Sequence, residues 1–549
     1  MRGLRFACTA ALAAVSLVSC GEDQEPASGP ASFAPAATPL YLEVSRESEE
    51  QVANAEDLIA ELGEVPLLGS TIDPRDLTEQ AIDDSAADEG LDITFAEDIE
   101  PWLGDRAGIA FMSLAQLVSP TAAGEADVVA ESGDPDFVAI LEASDEAIAS
   151  DSIDRILTAD ESVAIEEEEV GGETVKRPAG SEGGVAVFDG SVVFGSTDAA
   201  LEQAFAARDG DSLGEADEFV EALDGLPAER LGAAYLDFGA FVDLTAAQLD
   251  QGELEAMSSL YGDALSQPFV FALTAGESSL AVDASAGAFP FSFPAASPSE
   301  LLPGAPADSI AAIGLDDVGM QLRDLFDVVV GVASQFAPAE VDPATFGDQL
   351  EAQIGVTVEE ATEAFGDGVA YLRGDLPDVF AISLEVDLPG GSEAPLRISD
   401  SASQQLRGGG YDVGPPLERG AAGFSTDLAA GEIGFLNVEI ADGSVEMVIA
   451  PSRAAVEGLD EEPGALGDHE RYTRAEESVG DEFEVIGVVD PQPIIDALLG
   501  SSSVSDVITG EAAPEQLIAK FVADKLAVIG LGVREADDRL ISRVVLAID

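Results

Sequence analysis

Apolar and polar positions alternate through Ala37–Ser45, with Leu40, Leu42 and Val44 on one side. A period of two predicts a strand. The period then lengthens. In Glu49–Leu62, Val52, Ile59 and Leu62 share one side of a predicted helix. Glu97–Leu114 reads as a short acidic helix, a Gly-Asp step and a strand, and Asp136–Asp145 as a further strand. Val185–Phe205 reads as strand, turn, strand and helix. Asp-Gly between apolar runs is a hairpin signal, and Thr197 or Asp198 can cap the helix that follows. Phe269–Ser285 ends this first series as a strand pair.

The series then recurs. Ala307–Asp317 repeats the opening strand, and Met320–Phe336 repeats the helix pattern. "EDIEPWLGDRAGIAFMSL" (Glu97–Leu114) has its counterpart in "EEATEAFGDGVAYLRGDL" (Glu359–Leu376). Asp136–Asp145 matches Asp378–Asp387, and Val185–Phe205 matches Asn437–Leu459, where Ser452 can cap the helix. Leu526–Ile548 repeats the closing pair. Between the series lies Gly287–Pro306, whose five prolines cannot continue a helix or a central strand. The expected fold class is α+β. It consists of two tandem related units, 37–286 and 307–549, each mainly an antiparallel sheet with helices packed on one face, joined by a Pro-rich linker at 287–306.

The first residues read as an address. "MRGLRFACTAALAAVSLVSC" carries Arg2 and Arg5, then an apolar run too short to span a bilayer. It predicts a signal peptide over 1–19. Leu17-Val18-Ser19-Cys20 resembles a bacterial lipobox, which implies cleavage before Cys20 and attachment of a diacylglyceryl group to its sulfur. Cys8 would be removed, leaving Cys20 as the one mature cysteine and no intrachain disulfide. Residues 20–36, rich in Gly, Pro, Ser and Glu, read as a flexible tether. The expected location is outside the cytoplasm, anchored by lipid to the outer face of the cytoplasmic membrane or another envelope membrane.

Charge removes whole classes of partner. Lys+Arg is 23 against Asp+Glu 108, a formal net charge of −85 over 549 residues. Such a chain repels nucleic acid and anionic bilayer surfaces. Lys176, Lys520 and Lys525 are the three lysines. This composition resembles that of salt-adapted proteins, in which about 1 M salt screens the self-repulsion over roughly 3 Å; an ordinary acidic secreted protein has the same features.

Candidate chemistry is sparse. "RDGDSLGEADEF" (Arg208–Phe219) contains Gly-Asp-Ser-Leu and also Gly-x-Ser-x-Gly around Ser212, the pattern of a hydrolase nucleophile. The single histidine, His469, lies in "PGALGDHERY" (Pro463–Tyr472) without an Asp three residues earlier, and no spacing ties Lys176 to Ser212. Aligning Leu213-Gly214 with Leu466-Gly467 places Ser212 opposite Ala465, so the repeat reads as a turn feeding a helix. Asp209-x-Asp211 fails the EF-hand pattern at Leu213 and Val220. Glu166–Glu169 reads as a solvated loop or strand edge. Trp102 is expected as a core anchor, and Arg106 as a local ion pair with Asp105. No residue is assigned to catalysis, to a cofactor or to a metal. The one site residue is Cys20, for lipidation.

The lipobox, the Pro-led opening strand, "EDIEPWLGDRAGIA" and "DGSVVFGSTDAALEQAF" together resemble domain of unknown function family 3352, uncharacterised bacterial secreted proteins. The resemblance implies an envelope location and transfers no catalytic residue. The expected function is a lipid-anchored envelope protein with a non-enzymatic binding or scaffolding role and an unspecified protein or lipid partner. A carrier of an apolar ligand or lipid is the alternative, and a serine hydrolase using Ser212 the second.

Overall fold

The computed structural model describes residues 29–63, 79, 82–84, 86–87, 91, 93–114, 136–159, 164–240, 242, 267–286, 298–326, 351–376, 379–418, 421–428, 434–441, 443–459, 463–500, 525–536 and 539–548. Cys20, the signal-like segment, the first part of the expected tether and residues 287–297 of the expected linker lie outside them.

The expected pair of tandem units, each with its own sheet, is corrected. The strands belong to one 20-stranded sheet, and every registered pair is antiparallel. Alternation in sequence assigns a strand's two faces. It does not say which strand edges stay free, and an open edge can accept a further strand. Compactness divides the chain into two units.

The first carries β1 (Leu40–Ser45), β2 (Leu103–Phe111), β3 (Phe137–Ala143), β4 (Ile165–Val170), β5 (Glu173–Pro178), β6 (Gly184–Phe188), β7 (Ser191–Gly195), β8 (Gly232–Leu236), β9 (Phe269–Gly276) and β10 (Ser279–Ala286). Pairing runs β6–β7–β3–β2–β1–β8–β9–β10. The Asp189-Gly190 turn joining β6 to β7 has positive φ at both residues, as a tight hairpin requires. Helices cover both faces here, which also corrects the expected one-sided packing. Ile153, Ile156 and Leu157 of the helix Glu146–Thr158 pack on Ala139 and Leu141 of β3. Leu201 and Phe205 of the helix Asp198–Arg208 pack on Val138 and Ile140, the other face. The unbroken apolar run Val138–Leu141 fits a strand buried on both sides. Asp145 and Thr197 cap the two helices as acceptors from backbone N–H groups. Glu166–Glu169 lie exposed along β4, whose registered partner is β5.

The second unit carries β11 (Ala311–Leu315), β12 (Gly368–Asp375), β13 (Val379–Asp387), β14 (Val413–Gly414), β15 (Ala422–Asp427), β16 (Phe435–Ala441), β17 (Ser444–Ala450), β18 (Glu484–Val489), β19 (Leu526–Ala536) and β20 (Arg539–Ile548). The same order of pairing returns as β16–β17–β13–β12–β11–β18–β19–β20. One face carries Ala312, Tyr371 and Val488, sealed by Leu302, Leu466, Tyr472 and Ala475. On the other face the register sets Leu436, Ile449, Ile382, Leu372, Ala311 and Val489 in a row across six strands.

Candidate functional site

The motif "PWLGDRAG" builds the most unusual environment among the described residues. Trp102 anchors it: the indole is buried and its Nε1 donates to the Asp98 carbonyl at 2.7 Å. Beyond Trp102 the β2–β3 register jumps from Leu103↔Ala143 to Ala107↔Leu141. Gly104, Asp105 and Arg106 therefore face Glu142 alone. Such a bulge bends the strand and re-aims its side chains. Gly104 is required for the approach, since a Cβ there would lie 2.7 Å from Glu142 Cγ and 3.0 Å from its carbonyl oxygen.

Arg106 is turned inward and only 6% exposed. Its expected partner, Asp105, is not the one it takes. The guanidinium Nε lies 3.3 Å from Glu47 and 3.6 Å from Glu142. The bulge separates neighbouring side chains and carries Arg106 towards Glu142 of β3 and Glu47, just past the end of β1. Neither Nε nor Nη2 of Arg106 makes a well-formed hydrogen bond, and Asp105 Oδ1 is likewise buried without one. Next along the same face, Tyr41 is fully buried and donates its hydroxyl to Glu43. Gly108 leaves room for that hydroxyl, a Cβ there falling 2.7 Å from Tyr41 Oη.

Four carboxylates thus surround one buried cation, and their protonation responds. Burial, then Glu142 and Glu47, push Asp105 up to about 6 against the pull of Arg46 and Arg106. Burial also raises Glu43, against its hydrogen bond from Tyr41, and holds Tyr41 well above the usual phenol range. The sign for stability follows. The folded chain binds the Asp105 proton more tightly than the unfolded chain does. Ionised Asp105 therefore weakens the fold above pH 6, and the penalty is relieved as pH falls through 6 towards 4. Asp105→Asn is expected to stabilise by about 1 kcal/mol at pH 7.5, the carboxyl being partly solvated. In urea titrations that gain should vanish by pH 4.5; a gain that persists there would have a cause other than titration.

A strap roofs this cluster. Residues Pro30–Phe33 form a 3-10 turn, with Pro30, Ala31 and Phe33 buried. Gly29 lies on the Arg106 guanidinium, where a Cβ would sit 2.6 Å from Nη1. Phe33 meets Phe188 edge-on at 5.7 Å. The strap docks on the stretch that resembled a lipase motif. Leu213 N–H donates to the Ala34 carbonyl at 2.7 Å and Ala36 N–H to the Asp211 carbonyl at 3.0 Å. Pro35 and Ser212 form an isolated bridge. Ser212 is buried and precedes the 3-10 turn Leu213–Glu215, which feeds the helix Asp217–Asp224.

The second unit repeats this docking. Leu466 N–H donates to the Ala305 carbonyl at 2.7 Å, Ala307 N–H to the Gly464 carbonyl at 3.0 Å, and Pro306 bridges Ala465. Ser212 and Ala465, opposite each other in the sequence repeat, thus hold the same place. His469 is a helix cap, its Nδ1 accepting from the Arg471 N–H at 3.2 Å. Lys176 pairs with Asp154 at 2.5 Å.

The sequence reading missed Tyr41, Glu43, Glu47 and Glu142, because a bulge has no hydropathy signature. It also took residues 29–36 as tether, although Ala34-Pro35-Ala36 returns as Ala305-Pro306-Ala307, which marks both as one element.

Among solved structures, crystal form IV of TP0453 matches at 13% identity and TM-score 0.25, covering 47% of this chain and 81% of that one. Crystal form III of TP0453 matches at 13% identity and TM-score 0.23, covering 49% and 83%. A likeness of that size says nothing of what this chain does. No curated protein matches it. A family model described as "Protein of unknown function (DUF3352)" matches residues 56–355, more than half of the sequence, and the chain belongs to that family.

Proposed function

We propose that this is a lipid-anchored cell-envelope protein that binds or scaffolds rather than catalyses. It is held at Cys20 on the outer face of the cytoplasmic membrane or another envelope membrane. The observation that supports this best is the docked strap. With Gly29 docked on Arg106, residues 21–28 are the chain between that docked point and an acylated Cys20, a span of at most about 30 Å. The first unit is then kept close to the bilayer rather than displayed on a long stalk. No helix among the described residues is long and apolar enough to cross a membrane, so attachment in this reading depends on the acyl chains, which hold stably when two or more are present.

The placement of polar groups supports binding over hydrolysis. The Ser212 backbone is engaged with the strap, and no side-chain hydrogen bond from a histidine, lysine or carboxylate reaches Ser212 among the described residues. His469 and Lys176 are occupied elsewhere. The test is fractionation of the native cell with wild type and Cys20→Ser, followed by solvent extraction and mass spectrometry of the purified acylated protein. Wild type should sediment with membranes and Cys20→Ser should not. A Cys20→Ser chain that stays in the membrane pellet would sink the anchor, and recovery of neither lipid nor protein above background would sink the binding role.

A further inference from the structure

The two straps dock alike, but they close over different floors. In the first unit Pro30 lies over Gly108, where a Cβ would fall 2.8 Å from Pro30 Cβ and 2.7 Å from Tyr41 Oη. Gly108 is registered with Glu43, and directly opposed residues share a face of the sheet. Gly29 and Pro30 therefore close over Glu43, the Tyr41 hydroxyl and the Arg106 guanidinium. In the second unit, counting on from Ala305 as from Ala34 puts Ala312 in the place of Tyr41 and Gly314 in the place of Glu43. A Cβ on Gly314 would fall 3.0 Å from Ser299 Cβ and 3.5 Å from Leu302 Cβ, and Val369 is registered with it. Ala312, Gly314 and Val369 carry no titratable group.

The first strap also has two unlike halves. Ala34 and Ala36 are hydrogen-bonded to Leu213 and Asp211, and Phe33 sits in the core with Val138 and Ile140. Gly29–Ser32 is held in another way. Among the described residues its hydrogen bonds stay within the strap: the Ser32 N–H and Oγ both donate to the Gly29 carbonyl, at 2.9 and 2.7 Å, and the Ala34 N–H donates to the Ala31 carbonyl at 3.3 Å. What joins this half to the rest of the fold is contact with Arg106, Gly108 and Gly214.

We propose that Gly29–Ser32 is a lid, pivoting at Phe33, that stays closed over protonated Glu43 and lifts when Glu43 and Asp105 are ionised. Beneath the closed lid, Nε and Nη2 of Arg106 lack well-formed hydrogen bonds; lifting gives them water. The carboxyl beside them has the same preference. Burial raises Glu43 although the Tyr41 hydrogen bond, Arg106 and Arg230 all pull it down, so loss of water is the larger effect there. The other charged groups facing Glu43 and Asp105 are Arg46 and Glu47 at the exit of β1 and Glu142 of β3. Tyr235 of β8 lies across from Tyr41. The lid itself, Gly29-Pro30-Ala31-Ser32, adds no charge. The closed lid thus binds the Glu43 proton more tightly than the open one, and opening grows as pH rises. The consequence rests on the anchor reading: lifting the lid adds four residues, about 13 Å, to the chain between Cys20 and the fold. The reach of the first unit from the bilayer then increases with pH.

The test uses the full chain with Cys8→Ser and Cys20→Ser, which has no other thiol, and one cysteine introduced by Ala31→Cys. Its alkylation by iodoacetamide is divided by that of an unstructured cysteine peptide at the same pH. This ratio should rise about fivefold from pH 5 to pH 7.5. With Glu43→Gln and Asp105→Asn added, the rise should fall below about twofold. Ala34→Cys, in the hydrogen-bonded half, should stay protected at both pH values. A ratio at Ala31→Cys that does not change with pH overturns the proposal, and so does an undiminished rise in the Glu43→Gln, Asp105→Asn chain. An equal rise at Ala34→Cys also overturns it, since the unit would then be opening as a whole. Exchange of the Ser32 amide, corrected for its intrinsic rate, reads the same opening in a chain with no added cysteine. It should quicken between the two pH values, and a constant rate sinks the lid whatever the folding of the variants. Because Cys20 is replaced in the labelled chains, failure there leaves the anchor untouched, and a Cys20→Ser chain that stays with membranes leaves the lid untouched.

Discussion

Arg106→Met is expected to cost about 3 kcal/mol at neutral pH. Methionine keeps the length of the buried stem and removes only the charge and its donors. What remains is Glu47 and Glu142 without the cation they share at 3.3 and 3.6 Å, beside Glu43 and Asp105. Removing the buried partner leaves Glu142 uncompensated, while Glu47, half exposed, keeps part of its hydration. The deficit should shrink as pH falls from 7.5 to 4.5. Asp105, raised to about 6, and Glu43, raised by burial, take up protons and relieve the repulsion. Added salt should recover less than acid does, since screening reaches a buried cluster poorly. Arg106→Lys should recover part of the loss: the charge returns, but as a compact, strongly hydrated ammonium in place of the weakly hydrated, delocalised guanidinium. The check is a set of urea titrations at both pH values. Equal stability of Arg106→Met and wild type at pH 7.5 would mean that the cluster needs no central cation.

The strands themselves were legible in the sequence, and so was their repetition. Leu40, Leu42 and Val44 do share a face of β1, the Asp189-Gly190 turn does join β6 to β7, and Thr197 and Ser452 do cap their helices. These are local facts, set by a period of two, by positive φ and by a hydroxyl three residues from an orphan N–H. Membership of a single sheet was not legible, because it depends on which edges meet. Packing on two faces was only half legible. The run Val138–Leu141 signals a strand buried on both sides, but it does not name the helices that cover it. The cluster around Arg106 was hidden for a different reason. Its partners lie 59 residues before and 36 residues after it in the chain, at Glu47 and Glu142, and a bulge rather than a motif brings them together. In the "RDGDSLG" stretch, composition suggested one chemistry and the repeat another. The docked strap explains why Leu213 and Gly214 recur while Ser212 does not. The backbone N–H of Leu213, like that of Leu466, is what the docking uses, and in the second unit a Cβ at Gly467 would fall 2.8 Å from Pro303 Cβ.

Shortening the chain to begin at residue 37 is expected to cost more than any single substitution in the first unit, and far more than beginning it at Gly29. The alternation of apolar positions begins at Ala37, so 37 is the boundary the sequence suggests. The packing places the boundary earlier. Phe33 is 1% exposed and belongs to the cluster with Val138, Ile140, Leu201 and Phe205; Phe33→Ala alone should cost about 3–4 kcal/mol. A start at 37 also removes Ala34 and the strap's hydrogen bonds to Asp211 and Leu213, and it opens the Arg106 cluster to water. Domains are stable by about 5–15 kcal/mol, so the summed loss leaves the first unit largely unfolded. Hydrogen exchange on the two shortened chains checks this at the level of strands. Amides of β1 and β2 should be protected when the chain begins at 29 and should exchange freely when it begins at 37, while those of β12 and β13 change little. Equal protection in the two chains would return residues 29–36 to the tether.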